Sequence, residues 1–364
     1  MHIAFYAPLK SPNHPVPSGD RAMARLLIQA MQRAGHRVEI ASELRSFTKT
    51  PDQTLLSTIR GGAEQERGRL ADLWQLGNKP DLWFTYHPYY KAPDLVGPSL
   101  ATMFELPYIT AEASYSKRRD DEEWAEQQSY VVNGVRQAAV NICFTRRDEV
   151  GLEQIVSKKR LKRLPPFIDI AAFSDEPTAV TTNQLVTVAM MRSGDKLESY
   201  RMLAASLALL GDMPWRLRII GDGPASAMVK ACFAGIREDR IEWLGQQQSR
   251  EVTKILYESD IYVWPGFGEA YGIAYLEAQA AGLPVIAQAV AGVPEVVKNG
   301  VTGILTPEND VAAFSRAIEH LSLNKERRLV MGNAARQFVF KERSLELASA
   351  QLNLLLRSYT EQDR

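Results

Sequence analysis

The chain has 364 residues, of which 45% are hydrophobic and 24% charged, with 43 basic side chains balanced by 43 acidic ones. Such a length argues for about two domains, and the charge balance lacks the footprint of a general nucleic-acid binder. Two cysteines, Cys143 and Cys232, are too few for a disulfide framework or a metal cluster and read as reduced, packed thiols.

The N-terminal MHIAFYAP reads as a first strand, without the basic flank or cleavage site of a leader, and no apolar run reaches the length of a membrane span. The expectation is a cytoplasmic protein, with peripheral contact at the inner membrane face as an added option. Next comes RAMARLLIQAMQRAG, whose Met23, Leu26, Leu27, Ala30, Met31 and Ala34 form one helical stripe. Short apolar runs then recur at HRVEIAS, DLWFTYH, LPYITAEA, AVNICFT, QLVTVAMM, WRLRIIGDG, RIEWLG, DIYVWPG, LPVIAQ and TGILT, with helical segments between them. This alternation predicts parallel sheets covered by helices.

Three stretches of the first half carry polar chemistry. In DLWFTYHPYYKAPD, residues 81–94, His87 stands beside Tyr86, Tyr89 and Tyr90, which suits either a sugar-binding edge or a packed loop with a satisfied histidine. The run SKKRLKR at 157–163 reads as a solvated helix face or as a contact for an anionic membrane or acceptor. Lys117, Arg118 and Arg119 precede DDEE, so local charge pairing is the simpler account there. Periodicity fails over 164–184, which marks the domain boundary: residues 1–165 form one domain, 184–340 the other, and a helix at about 341–360 is expected to pack back on the first.

The stretch FGEAYGIAYLEAQAAGLPVIA, residues 267–287, is the most informative. A helix over 272–281 stops at Gly282 with Pro284 beyond, and its Ile273, Ala274, Leu276, Ala278, Ala280 and Ala281 predict burial around most of the circumference. Glu277 is then a carboxylate in apolar surroundings, which needs hydrogen-bond donors from the protein or from ligand hydroxyls. The open N–H groups at Gly272, Ile273 and Ala274 suit an anion. A ligand with a phosphate at the helix start, vicinal hydroxyls a turn along and a further hydroxylated group near Glu269 fits this order, as a nucleotide diphosphate sugar does. The alternative is that Glu277 pairs with a neighbouring arginine and Glu269 is solvated.

The run from Gly221 to about Arg336 resembles the C-terminal domain of family-four retaining glycosyltransferases. The resemblance rests on GDGP at 221–224, WLG at 243–245, the Glu-x7-Glu pair Glu269 and Glu277, LEAQAAGLPVIA, AGVPEVVKNGVTGIL and Asn309–Asp310 before a helix. RAGHRVEI at 33–40 and Ser18-Gly19-Asp20 resemble the family's first half, with Ser18 in place of its first glycine. The fold this implies is the α/β GT-B architecture, two Rossmann-like doubly wound parallel-sheet domains facing a central cleft.

The resemblance further implies a metal-independent, retaining transfer of a sugar from a UDP- or GDP-sugar to a saccharide, lipid-linked or small-molecule acceptor, with no cofactor. Glu269 would meet the hexose hydroxyls, Glu277 the ribose, and Arg192 with Lys196 the diphosphate; Gly19, Gly221, Gly223, Leu244, Gly245, Tyr271, Gly272 and Ile273 would complete the donor site. The basic pair also fits a solvated loop. Where many members carry a histidine after the Leu-Pro-Tyr step, this chain reads ITAEASYSKRR, so Glu112, Ser114 and His87 are the acceptor-side candidates. No Asp-x-Asp triplet occurs, which predicts that no catalytic metal is held. The rival readings are a nucleotide-sugar epimerase or hydrolase of the same fold, a catalytically silent binding protein, and an NAD-dependent oxidoreductase; the last lacks a G-x-G-x-x-G after the first strand.

Overall fold

The computed structural model describes residues 1–121, 123–175 and 183–360. The chain divides into two units, Met1–Pro165 with Leu345–Arg364, and Pro166–Ser344. Residues 176–182 of the expected boundary, and Glu122 of the DDEE run, lie outside the described residues.

The first unit is built on strands β1 (His2–Tyr6), β2 (Arg37–Ser42), β3 (Leu82–Tyr86), β4 (Tyr108–Ala111), β5 (Val140–Cys143) and β6 (Leu161–Arg163). They form one parallel sheet in the order β2-β1-β3-β4-β5-β6. Strands β3, β4 and β5 are buried at every residue, as central strands covered on both faces must be. At the edge, β2 exposes Arg37 and Glu39, charges that discourage further strand pairing.

The opposite edge corrects the reading of SKKRLKR. Lys158–Arg160 form a short 3-10 turn, and Leu161–Arg163 pair with β5 through Asn141↔Leu161 and Cys143↔Arg163. Leu161 and Leu164 are buried while Lys162 is exposed, so the apolar anchors of the run, not its charges, decide its conformation.

One buried carboxylate ties this sheet to a helix. Asp94 accepts hydrogen bonds from Trp83 Nε1 at 3.1 Å, Tyr108 Oη at 3.1 Å and Thr85 Oγ1 on one oxygen, and from the amides of Val96 at 2.8 Å and Gly97 at 2.7 Å on the other. Those donors come from β3, β4 and the start of helix Gly97–Met103. The C-terminal helix Leu345–Thr360 belongs to the same unit, with Ser349 Oγ donating to Ala30 O at 2.7 Å and Glu346 pairing with Arg33 at 2.9 Å.

The second unit holds β7 (Gln184–Val188), β8 (Arg216–Ile220), β9 (Ile241–Gly245), β10 (Ile261–Val263), β11 (Val285–Gln288) and β12 (Gly303–Thr306) in the order β12-β11-β10-β7-β8-β9, all parallel. Helices connect the strands, as parallel pairing requires. The helix expected over 272–281 spans Ile273–Ala280, and Gly282 closes it with φ +85°, its amide donating to Gln279 O. Among the described residues no helix is long and apolar enough to cross a membrane. Both thiols are free, and burial pushes that of Cys143 up to about 12.

Candidate active site

In the second unit the candidate residues gather beyond the C-terminal ends of the parallel strands, where ligands of such sheets bind. Gly221 and Gly223 follow β8. A Cβ at Gly221 would lie 1.9 Å from Ala189 O, and one at Gly223 2.3 Å from Met191 O, so the glycines let the chain after β8 press against the chain after β7. The amides of Ala189 and Met191 bond back to Ile220 O and Asp222 O. Gly245 at the end of β9 accepts from the Gly221 amide at 2.8 Å, with half-buried Leu244 beside it.

From this platform the chain reaches Arg192, which is exposed and without a partner among the described residues, and then helix Asp195–Ala208. Lys196 lies in the first turn of that helix. Its ammonium pairs with Glu269 Oε1 and sits 5.5 Å from the centre of the Trp264 ring. Arg192 and Lys196 therefore differ in state, one free and one engaged.

Helix Ile273–Ala280 is not buried all round. Ile273, Ala274 and Glu277 are its half-buried residues, and three and four positions apart they share one face, while Tyr275, Leu276, Ala278, Gln279 and Ala280 are buried. No side chain caps the helix at Gly272, so its opening amides have no capping acceptor. Tyr271, just before, is buried.

The Glu277 carboxylate has no hydrogen bond or ion pair among the described residues, so the arginine partner that would have made it structural is absent there. Burial alone raises its pKa above the usual carboxylate range. Unlike Asp94, it bears the cost of burial without compensating donors.

The first unit presents a different cluster. His87 and Glu112 end β3 and β4 with φ +58° and +56°, a left-handed conformation that costs energy in residues with a Cβ. Each amide still bonds to the next strand, His87 to Ala111 O and Glu112 to Ile142 O, both at 2.8 Å. His87 Nδ1 lies 3.1 Å from Asp20 Oδ1, in the first turn of helix Gly19–Arg33. Ser18 is the N-cap of that helix, accepting from the Arg21 amide at 3.3 Å, which gives this serine a structural task. Gly19 opens the helix and Ser114 is half-buried, its amide donating to Pro88 O.

Burial opposes the charged form of His87, but the charge of Glu112 and then the bond to Asp20 outweigh it and raise the imidazole to about 9. Burial first, and then the neighbouring Asp148 and Asp20, push Glu112 up to about 7 against the pull of His87. The sequence reading left Asp20 and Asp148 unassigned. Asp148 carried a local signal, since Thr145 caps the helix Arg146–Leu152 through its amide at 3.1 Å. Asp20 meets His87 across 67 positions and had none.

Residues 182–324 match the family model of glycosyl transferases group 1. That stretch of the second unit is similar to the group. Among curated proteins, the chain is 31% identical over 185 residues to an exopolysaccharide phosphotransferase of Streptomyces coelicolor, covering 50% of this chain and 19% of that one. It is 33% identical over 145 residues to the amylovoran biosynthesis glycosyltransferase AmsK of Erwinia amylovora (38% and 36%) and 30% over 142 residues to the N-acetyl-alpha-D-glucosaminyl L-malate synthase of Bacillus anthracis (39% and 37%). The matches thus span less than half the length of these relatives.

Solved structures agree over nearly the whole chain. Sucrose-phosphate synthase from Thermosynechococcus elongatus has a TM-score of 0.75 at 19% identity, with 98% of each chain covered. Anabaena HepE in complex with UDP also has a TM-score of 0.75, at 15% identity, covering 98% of this chain and 100% of that one. At such identities the likeness establishes the fold, two six-stranded parallel sheets with helices, the α/β GT-B type that the sequence implied.

Proposed function

We propose that the protein transfers a sugar from a nucleoside diphosphate sugar to a hydroxyl of a saccharide or lipid-linked acceptor, with retention of configuration and without a catalytic metal. The observation that carries the reading is Glu277, a carboxylate without a partner among the described residues, one turn along the open face of a helix whose first amides are uncapped. A ribose diol would supply the missing donors and a diphosphate would take the amides. HepE was solved with UDP, with UDP and glucose, and with UDP-glucose, which makes UDP the first nucleotide to test.

In this reading the chemistry is electrostatic. As the glycosidic bond breaks, charge accumulates on the departing diphosphate, and the exposed Arg192 guanidinium with the amides after Gly272 stabilises it most at that moment. Glu269 meets the hexose, and a departing phosphate oxygen accepts the acceptor's proton on the same face of the sugar, so no protein nucleophile is needed. His87, Asp20 and Glu112 of the first unit orient the acceptor through hydrogen bonds.

The test is thermal unfolding of the purified protein with UDP, GDP, ADP and NAD in turn, followed by product analysis with the matching sugar nucleotides. A ligand at a hundred times its dissociation constant stabilises by about 2.7 kcal/mol. Stabilisation by one nucleoside diphosphate, then a glycosylated product, is the expected result. Stabilisation by NAD, or by none of the four, overturns the reading; release of free sugar without any acceptor product turns it into a hydrolase.

A further inference from the structure

Trp264, which neither the motif reading nor the proposed chemistry uses, sits at the centre of the donor-site polar contacts. It directly follows β10 and is 2% exposed. Its backbone amide donates to Ile286 O at 3.0 Å, its carbonyl accepts from Tyr275 Oη at 3.1 Å, and its ring meets Tyr200 edge-on at 4.8 Å. Held on three sides, the indole has one polar atom, Nε1, which donates to Glu269 Oε1 at 3.0 Å. That same oxygen takes the Lys196 ammonium. Glu269 Oε2 makes no hydrogen bond among the described residues.

The loop between Trp264 and Glu269 is shaped for this contact. The Glu269 amide donates to Gly266 O at 3.2 Å, a tight turn that folds the carboxylate back over the indole. A Cβ at Gly266 would lie 2.2 Å from Tyr275 Oη, so a side chain there would displace the tyrosine that braces Trp264. The Phe267 amide donates to Ser199 Oγ at 3.0 Å, one helical turn beyond Lys196. One loop and one helix are thereby fixed in the register that brings Lys196 and Trp264 to the same oxygen.

We propose that Trp264 is a positioning residue of the donor site: its indole N–H and the Lys196 ammonium share Glu269 Oε1, which locks the carboxylate and presents Oε2 to the hexose hydroxyls. The proposal rests on the sugar-transfer reading. It reassigns Lys196 from a free phosphate clamp to a partner of Glu269 and leaves Arg192 as the unpaired cation among the two. Two donors on one oxygen fix the carboxylate's rotamer before the substrate arrives, the pre-organisation that a contact made at the reacting sugar requires.

The experiment uses the full chain and the variants W264F, E269Q and K196M. W264F keeps an aromatic ring and removes the N–H. With the donor found by the nucleotide panel, W264F is expected to lower kcat about tenfold while KM and the affinity for the free nucleoside diphosphate stay within about twofold. In 15N-labelled protein, the Trp264 indole resonance, assigned by its absence from W264F, is expected to shift in both E269Q and K196M. A kcat within about twofold of wild type, an indole signal that ignores both changes, or equal losses in nucleotide affinity and kcat with early melting each overturn the proposal, the last by showing a packing role. If the wild type transfers sugar from no donor, the sugar-transfer reading fails instead. The indole signals then still decide whether Trp264 holds Glu269.

Discussion

Asp94 and Glu277 are both carboxylates whose pKa values burial raises, and their surroundings could hardly differ more. Asp94 is 4% exposed and accepts five hydrogen bonds, from three side chains and two amides. The Glu277 carboxylate accepts none from the described residues. A carboxylate enclosed by its own protein's donors is a structural joint, whereas one left short of donors beside uncapped amides is the contact that the proposed function gives to a ligand's hydroxyls.

The comparison sets opposite expectations for the two acids. Asp94→Asn exchanges an acceptor oxygen for an NH2 that must face N–H or O–H donors, and about 3 kcal/mol of stability should go, read as a lower denaturation midpoint at unchanged slope. Retained stability would mean that those five bonds are dispensable. Next in size, Glu269→Ala should lower turnover about a hundredfold with nucleotide binding nearly intact, because the contact is made at the reacting sugar; unchanged turnover removes Glu269 from the site.

Glu277→Gln sharpens the contrast from the other side. Nucleotide affinity should fall about tenfold, since a bond from a ligand hydroxyl to a charged group is lost. Stability should hold or rise, because no partner is stranded and the burial cost of the charge disappears. Calorimetric titration with nucleoside diphosphate beside a melting curve separates the two effects. An early-melting Glu277→Gln with normal affinity would place Glu277 with Asp94 among the structural acids.

A further test addresses the first unit's cluster, whose charged groups act on one another. The folded His87 holds its proton up to about 9, against 6.5 for a free histidine, so its contribution to stability is complete below pH 6.5 and is lost as the pH rises through 9. Glu112 acts in the same direction at lower pH. Its fold-preferred neutral form persists to about 7 instead of 4.5, so stability declines as the pH rises between those values. His87→Asn, which tolerates the left-handed backbone, should flatten the decline between pH 6.5 and 9 by about 1–3 kcal/mol relative to wild type. An identical pH dependence in the variant would show that His87 does not carry the proton.

Much of this was legible beforehand because it is local. Alternating strand and helix periods, the Gly282 stop and the eight-residue spacing of Glu269 and Glu277 lie within a few turns of chain, where side-chain period and turn chemistry act directly. The edge strand Leu161–Arg163 was hidden by its own charges, although Leu161 and Leu164 marked it.

The sequence by itself determined the two parallel-sheet halves, the helix that bears Glu277 and the place of Glu269 in the loop before it. Tertiary structure alone decided who meets whom: Lys196 with Glu269 across 73 positions, His87 with Asp20 across 67, Trp83 and Tyr108 with Asp94, and the Glu277 carboxylate with none of the described residues. The physical reason is that hydrogen bonds and ion pairs depend on distance in space. Strand order sets that distance, and strand order is a property of the packed sheet that no local period encodes.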